Sequence, residues 1–235
     1  TSIKMLYRVM GASYATQSHI TDVLFVFGLA GMIIGSLHAI REKNINRMVA
    51  FSSAAQIGYI YAAIGLGTEA GLAAAVFHMM THALTKPLLF TAADGLIDAV
   101  GNRKDFASLR GSAHLNRLAG IGFTVGSLSM VGLPAFSGFV SKLLIAEAST
   151  NVAGKMLATL IVLSVSTILN AVYFLHTVIT IYTPRTPDLP VYGVMKNRKG
   201  LFAVYVCFIA AILLLGLHPQ PVLNILSSGI TLFVK

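Results

Sequence analysis

Cysteine occurs once in the 235 residues, at Cys207, so neither a disulfide framework nor a cysteine-based zinc or iron–sulfur centre is available. Acidic residues number eight, and charged residues of both signs make up only 11% of the chain. Set beside 56% hydrophobic residues and a mean hydropathy of +0.79, that scarcity excludes a soluble domain of this length. There is no nucleotide-binding loop and no metal-ligand motif, so no cofactor is expected and any redox chemistry belongs to another chain. Thr1 to Gly11 has no cleavage-type signal pattern. The alternating segments of roughly ten residues that build a membrane barrel are also missing, which leaves an all-α chain with the bilayer as its solvent.

A helix needs about 20 mostly apolar residues to span a membrane. Stretches of that kind run from Thr21 to Ile40, Met48 to Leu66, Gly71 to Ile97, Met156 to Tyr182 and Leu201 to Leu217. Leu118 to Leu133 and Ala135 to Ser149 are shorter and meet at Gly132-Leu133-Pro134, the pattern of a broken helix. The expected organisation is a connection over residues 1–20, a transmembrane bundle over 21–183, a basic Pro-containing loop over 184–200 and C-terminal helices over 201–235. The formal charge of +9 does not indicate nucleic acid, because the basic residues fall in loops between apolar segments. If every segment crosses once, the turns near Arg41, Arg103 and Lys155 share one side, which the positive-inside tendency makes cytoplasmic.

The residues that a membrane should exclude carry the functional argument. His78, His82 and Lys86 recur at i, i+4 and i+8, one face of a helix. An ionised lysine near the bilayer centre costs at least about 2.5–3.5 kcal/mol, so Lys86 is expected to face a protein interior or a water-filled cavity rather than to snorkel from mid-span. Pro87 is expected to break this helix and leave the Ala83 carbonyl free for water. A second constellation places Lys142 just beyond Pro134 and Gly138, and discontinuous helices beside a buried cation are how transporters line ion paths. Glu147 is a candidate charge partner for Lys142, or simply the mark of a helix end. Ser52, Ser53 and Gln56 are candidate linings of a polar axis, with helix-packing hydrogen bonds as the competing assignment. His38 and His176 belong to no polar stripe, and no role is expected for them.

The runs Asn44 to Tyr59, Phe77 to Lys86 and Gly132 to Lys142, in this order and spacing, resemble the antiporter-like proton-pumping subunits of respiratory complex I, of multisubunit sodium/proton antiporters and of energy-converting membrane hydrogenases. Members of that family carry about fourteen core helices in two inverted repeats, each with a broken helix. The chain resembles the second repeat, with Tyr7-Arg8 similar to the end of the first broken helix; with Arg8 aligned to the family's arginine there, the lysine of the first half-channel is expected before Thr1, and Lys4 is a weaker substitute. The resemblance implies that Lys86 is the central relay lysine, Lys142 the ionisable residue of the second broken helix, and His78 and His82 hydrated links between them. Asn46 departs from the pattern, since many relatives carry a lysine there. The implied function is proton translocation without independent catalysis, inside a larger complex in a bacterial or archaeal cytoplasmic membrane. The implied partners are other membrane subunits, the lipid bilayer and protons. Sodium is the alternative coupling ion, although its site would call for more oxygen ligands than these few acids supply. A structural scaffold whose polar residues serve only as packing glue is the reading from a different class.

Overall fold

The computed structural model describes residues 19–184 and 199–234, which are helical apart from short connections and an isolated bridge between Asn44 and Asp105. The expected connection over 1–20 and the loop over 184–200 therefore lie almost wholly outside the described residues. In chain order the helices are α1 Ile20–Arg41, α2 Ile45–Gly65, α3 Glu69–Asp98, α4 Ser112–Leu115, α5 Arg117–Val131, α6 Ser137–Thr150, α7 Ala153–Tyr182, α8 Lys199–Leu217 and α9 Gln220–Val234.

Polar caps set the helix starts. The Asn44 side chain accepts the Asn46 and Arg47 amides at 3.0 and 3.3 Å, and the Thr68 hydroxyl accepts the Gly71 amide at 3.0 Å. Asn116 opens α5 by accepting the Ala119 amide at 3.2 Å and ties that end to α3 by donating to the Gly95 carbonyl at 3.0 Å. Helices α1, α2, α7 and residues Gly200–Leu217 of α8 are long and apolar enough to cross a membrane. Helix α3 has 30 residues, about 45 Å of rise, and covers the same thickness while carrying the polar stripe.

Helices α5 and α6 have 15 and 14 residues. At 1.5 Å per residue each rises only about 20 Å, short of the roughly 30 Å hydrocarbon core, so the two together make one crossing. This changes the sidedness expected from sequence. Lys155 pairs with Asp22 at 2.5 Å and donates to the Gly65 carbonyl at 2.7 Å, which puts it with the start of α1 and the end of α2. Arg41 is at the other end of α1. The Arg41 end is tied to the 99–116 connection by Ile45 N–H donating to the Lys104 carbonyl at 3.1 Å, and His114 reaches the Tyr182 carbonyl there at 3.1 Å. Counting α5 and α6 as separate crossings had placed Lys155 on the wrong side. Arg41, Lys43, Arg47, Arg103, Lys104, Arg110 and Arg117 now share one face, opposite Lys155, so the charge asymmetry is stronger than expected.

Helix α3 runs through the middle, against α2, α5, α6, α8 and α9. Leu88, Leu89 and Leu96 of α3, Phe123 of α5 and Phe174 of α7 share one buried cluster. The closest backbone approach is between α1 and α2, where side chains on Gly28 or Gly35 would overlap the backbone of Ala62 or Ala55, and one on Gly58 would strike Met32 and Gly28. With lipid outside, close packing of this kind is what holds transmembrane helices together. Gly58→Val is expected to separate α1 from α2, at a cost of at least about 1–3 kcal/mol for overpacking. The measurement is the yield of folded protein in the membrane fraction, and a parental yield would contradict the contact.

Candidate functional site

Lys86 is 5% exposed and its ammonium donates to the Val49 carbonyl at 2.9 Å and to the Ser52 hydroxyl at 2.5 Å, both on α2. The Phe174 ring of α7 lies 5.9 Å from the same nitrogen, close enough for a cation–π contact. Ser52 and Ser53 also donate to the Val49 carbonyl, at 2.7 and 3.2 Å, so three side-chain donors meet one acceptor. Ser52 therefore belongs to the lysine site, and Ser53 touches it through the shared carbonyl.

Two turns back along α3, His78 is 2% exposed, and its Nδ1 lies 3.0 Å from the Ser141 hydroxyl of α6. Ser141 donates its single hydrogen to the Gly138 carbonyl at 2.9 Å, so Nδ1 must be the donor to Ser141. His78 Nε2 is then a lone-pair acceptor, and it is buried without a partner among the described residues. His82 sits between His78 and Lys86, partly buried, and its Nε2 is also buried without one. Gln56 Nε2, Thr81 Oγ1 and Ser127 Oγ, on α2, α3 and α5, share that condition. Buried polar atoms of this kind are satisfied by ordered water.

Lys142 shows how the break is built. Helix α5 ends at Gly132, in the left-handed region at φ 87°, whose N–H donates to Leu128 and Ser129 while Leu133 N–H donates to Leu128. That leaves the Met130 and Val131 carbonyls, and the Lys142 ammonium takes both, at 2.9 and 2.8 Å. A cation on the last carbonyls of a helix also meets the negative end of its dipole. Lys142 is 8% exposed, and the Tyr59 ring, 5.6 Å from its nitrogen, stacks on His78 with ring centres 5.3 Å apart. A cavity of about 390 Å³ bounded by Lys142, Phe139, Ser164 and Thr167 opens beside it.

Three expectations are corrected here. Pro87 does not break α3, which continues through it, and Pro87 and Ala83 are exposed whereas Lys86 is buried. Glu147 is exposed and makes no ion pair with Lys142, whose nitrogen is spent on two carbonyls. Gly138 lies inside α6 rather than in the break, which contains Pro134. Its lack of a side chain admits the Ser129 carbonyl, against which any Cβ would collide.

The structure also brings in residues that sequence reasoning passed over. Tyr59 donates to the Ser166 hydroxyl at 3.0 Å and accepts from Asn170 at 3.3 Å, and Tyr173 donates to Asn170 Oδ1. Ser36 of α1 joins Ser166 at 3.2 Å and Asn170 at 3.4 Å. The signal was available: Ser166, Asn170, Tyr173 and Thr177 recur at i, i+4, i+7 and i+11, a polar face on α7 that answers Ser52, Gln56 and Tyr59 on α2.

The family model described as NADH:quinone oxidoreductase/Mrp antiporter, transmembrane, matches residues 1–169. The chain belongs to this family. NADH-quinone oxidoreductase subunit N of Desulforudis audaxviator is 33% identical over 188 residues, which cover 78% of this chain and 36% of that protein. Among solved structures, a chain of the Mrp complex from a Dietzia species superposes with a TM-score of 0.80 at 25% identity, over 94% of this chain and 49% of that one. A chain of the archaeal membrane-bound sulfane sulfur reductase gives 0.82 at 26% identity, over 93% and 43%. The chain thus spans half or less of the length of these relatives. Family membership and the apolar helices make it an integral membrane protein with an antiporter-like fold.

Proposed function

We propose that this chain forms one proton-conducting half of a membrane subunit and works inside a multisubunit assembly. The observation that carries the reading is a run of titratable groups through the interior of one bundle. Lys142 and His82 are each within coulombic range of His78, and Lys86 is within range of His82. A relay needs groups that can both hold and release a proton away from bulk water, and both lysines are buried in the bundle. Each histidine offers a free ring nitrogen, and water between them completes the path. The chain is a transport component rather than a catalyst, and the energy source lies in other subunits, as the names of the relatives suggest. The basic face of the bundle is the cytoplasmic one.

Replacing His78 and His82 together by Asn in the full-length parent keeps polar side chains but removes both titratable rings. Proton translocation in sealed vesicles is expected to fall several-fold at matched protein levels. An unchanged rate would rule out the histidines as carriers.

A further inference from the structure

Lys86 is buried, and the histidines precede it on α3 while the basic face lies toward the other end of that helix. On the basic face a cavity of about 230 Å³ is bounded by Glu42 and Met48, by Phe106 of the connection, and by Tyr173 and His176 of α7. Liquid water occupies about 30 Å³ per molecule, so the space holds several. Its walls include two titratable groups at the outer end. Glu42, 15% exposed at its side chain, pairs with Arg47 at 3.0 Å, and His176 stands edge-on to Phe106 with ring centres 5.9 Å apart. The inner wall is Tyr173, whose hydroxyl interacts with Ser52, the hydroxyl that receives the Lys86 ammonium.

We propose that this cavity is the water vestibule through which Lys86 exchanges protons with the basic side, with Tyr173 as its inner gate. The proposal rests on the lysine–histidine axis described above and adds its terminus. At rest the gate is closed, because Tyr173 donates to Asn170 and Ser52 donates to Val49, so neither hydrogen points along the path. Opening it needs two hydroxyl rotations and no backbone movement. Ser52 is easily released, because the Val49 carbonyl has two lone pairs and three side-chain donors. When both have turned, Lys86 gives a proton to Ser52 as Ser52 passes its own to Tyr173 and Tyr173 passes its own to vestibule water. Each hydroxyl oxygen gains one proton and loses one, the vestibule water becomes hydronium, and Lys86 is left neutral.

The test uses the full-length parent with every cysteine, Cys207 included, replaced by serine. Ala39, 1% exposed, lines the cavity, whereas Ile34, 55% exposed, lies elsewhere on the same helix. A charged, membrane-impermeant methanethiosulfonate is expected to modify Ala39→Cys from the side bearing Arg41, to leave Ile34→Cys untouched, and to slow proton translocation several-fold relative to the same variant unmodified. Tyr173→Phe, which keeps the ring and removes the hydroxyl, is expected to slow translocation comparably while the labelling of Ala39→Cys in that background is unchanged. Protection of Ala39→Cys from the reagent, labelling with no loss of rate, or a parental rate in Tyr173→Phe would each overturn the vestibule. Lys86→Met, run in parallel, separates this failure from failure of the axis. If Lys86→Met is inactive while Ala39→Cys stays protected, only the vestibule falls; if Lys86→Met translocates at the parental rate, the axis falls and the vestibule with it.

Discussion

Lys86→Met in the full-length parent is expected to abolish proton translocation while leaving the amount of assembled protein close to parental. The two halves of this expectation have separate causes. Met matches the length of lysine and keeps the apolar stem beside Phe174, so packing is nearly conserved. The Val49 carbonyl loses one donor but keeps Ser52 and Ser53, and the Ser52 hydroxyl, which loses the ammonium as its donor, keeps its own bond to Val49. A buried cation without a carboxylate partner disappears, which relieves desolvation cost. What is lost is the only group in that position able to hold and release a proton. Lys86→Arg is expected to fail as well, because a guanidinium keeps its charge and does not deprotonate. The measurement is quenching of a pH-sensitive dye in sealed vesicles with protein levels matched by blotting. Translocation by Lys86→Met at the parental rate would remove Lys86 from the path. A collapse in assembly would instead make Lys86 a structural cation.

The sequence made the helical stripe legible because helix geometry alone decides it: residues at i, i+4 and i+8 share a face in any straight helix, and His78, His82 and Lys86 do so in α3. The break was legible for a similar reason, since Gly132 and Pro134 are residues with local conformational requirements. Properties that depend on a second helix were not legible. Nothing in the spacing of Lys142 and Glu147 reveals that the last carbonyls of α5 lie nearer the ammonium than the carboxylate does. Nothing near Pro87 shows that it faces outward. The sidedness of Lys155 was misjudged through a count of crossings, because a break in a helix and a loop between two spans look alike until lengths are compared with the bilayer. The α7 stripe has a helical period, but it carries Ser, Asn, Tyr and Thr, which do not titrate near neutral pH and so mark no proton site by themselves. Its importance comes from pairing with Ser52 and Tyr59 across the bundle, which is tertiary information.

Lys142 is expected to behave differently from Lys86, and the contrast distinguishes a proton carrier from a helix cap. Lys142→Met leaves the Met130 and Val131 carbonyls without their donor at the break. Each unsatisfied buried acceptor costs about 1–3 kcal/mol, and the α5 dipole loses its counter-charge. The Met variant is therefore expected both to stop translocation and to lower the yield of assembled protein, whereas Lys86→Met does only the first. Lys142→Arg supplies the decisive comparison. A guanidinium has donors enough for both carbonyls and keeps the positive charge, so the break between α5 and α6 stays capped and assembly is retained. It cannot give up a proton at any pH the vesicles tolerate. If Lys142 is a carrier, Lys142→Arg assembles and does not translocate. If its work is only to cap α5, Lys142→Arg translocates near the parental rate, and the proton path must then leave the axis at His78, whose free Nε2 is the last acceptor before the break.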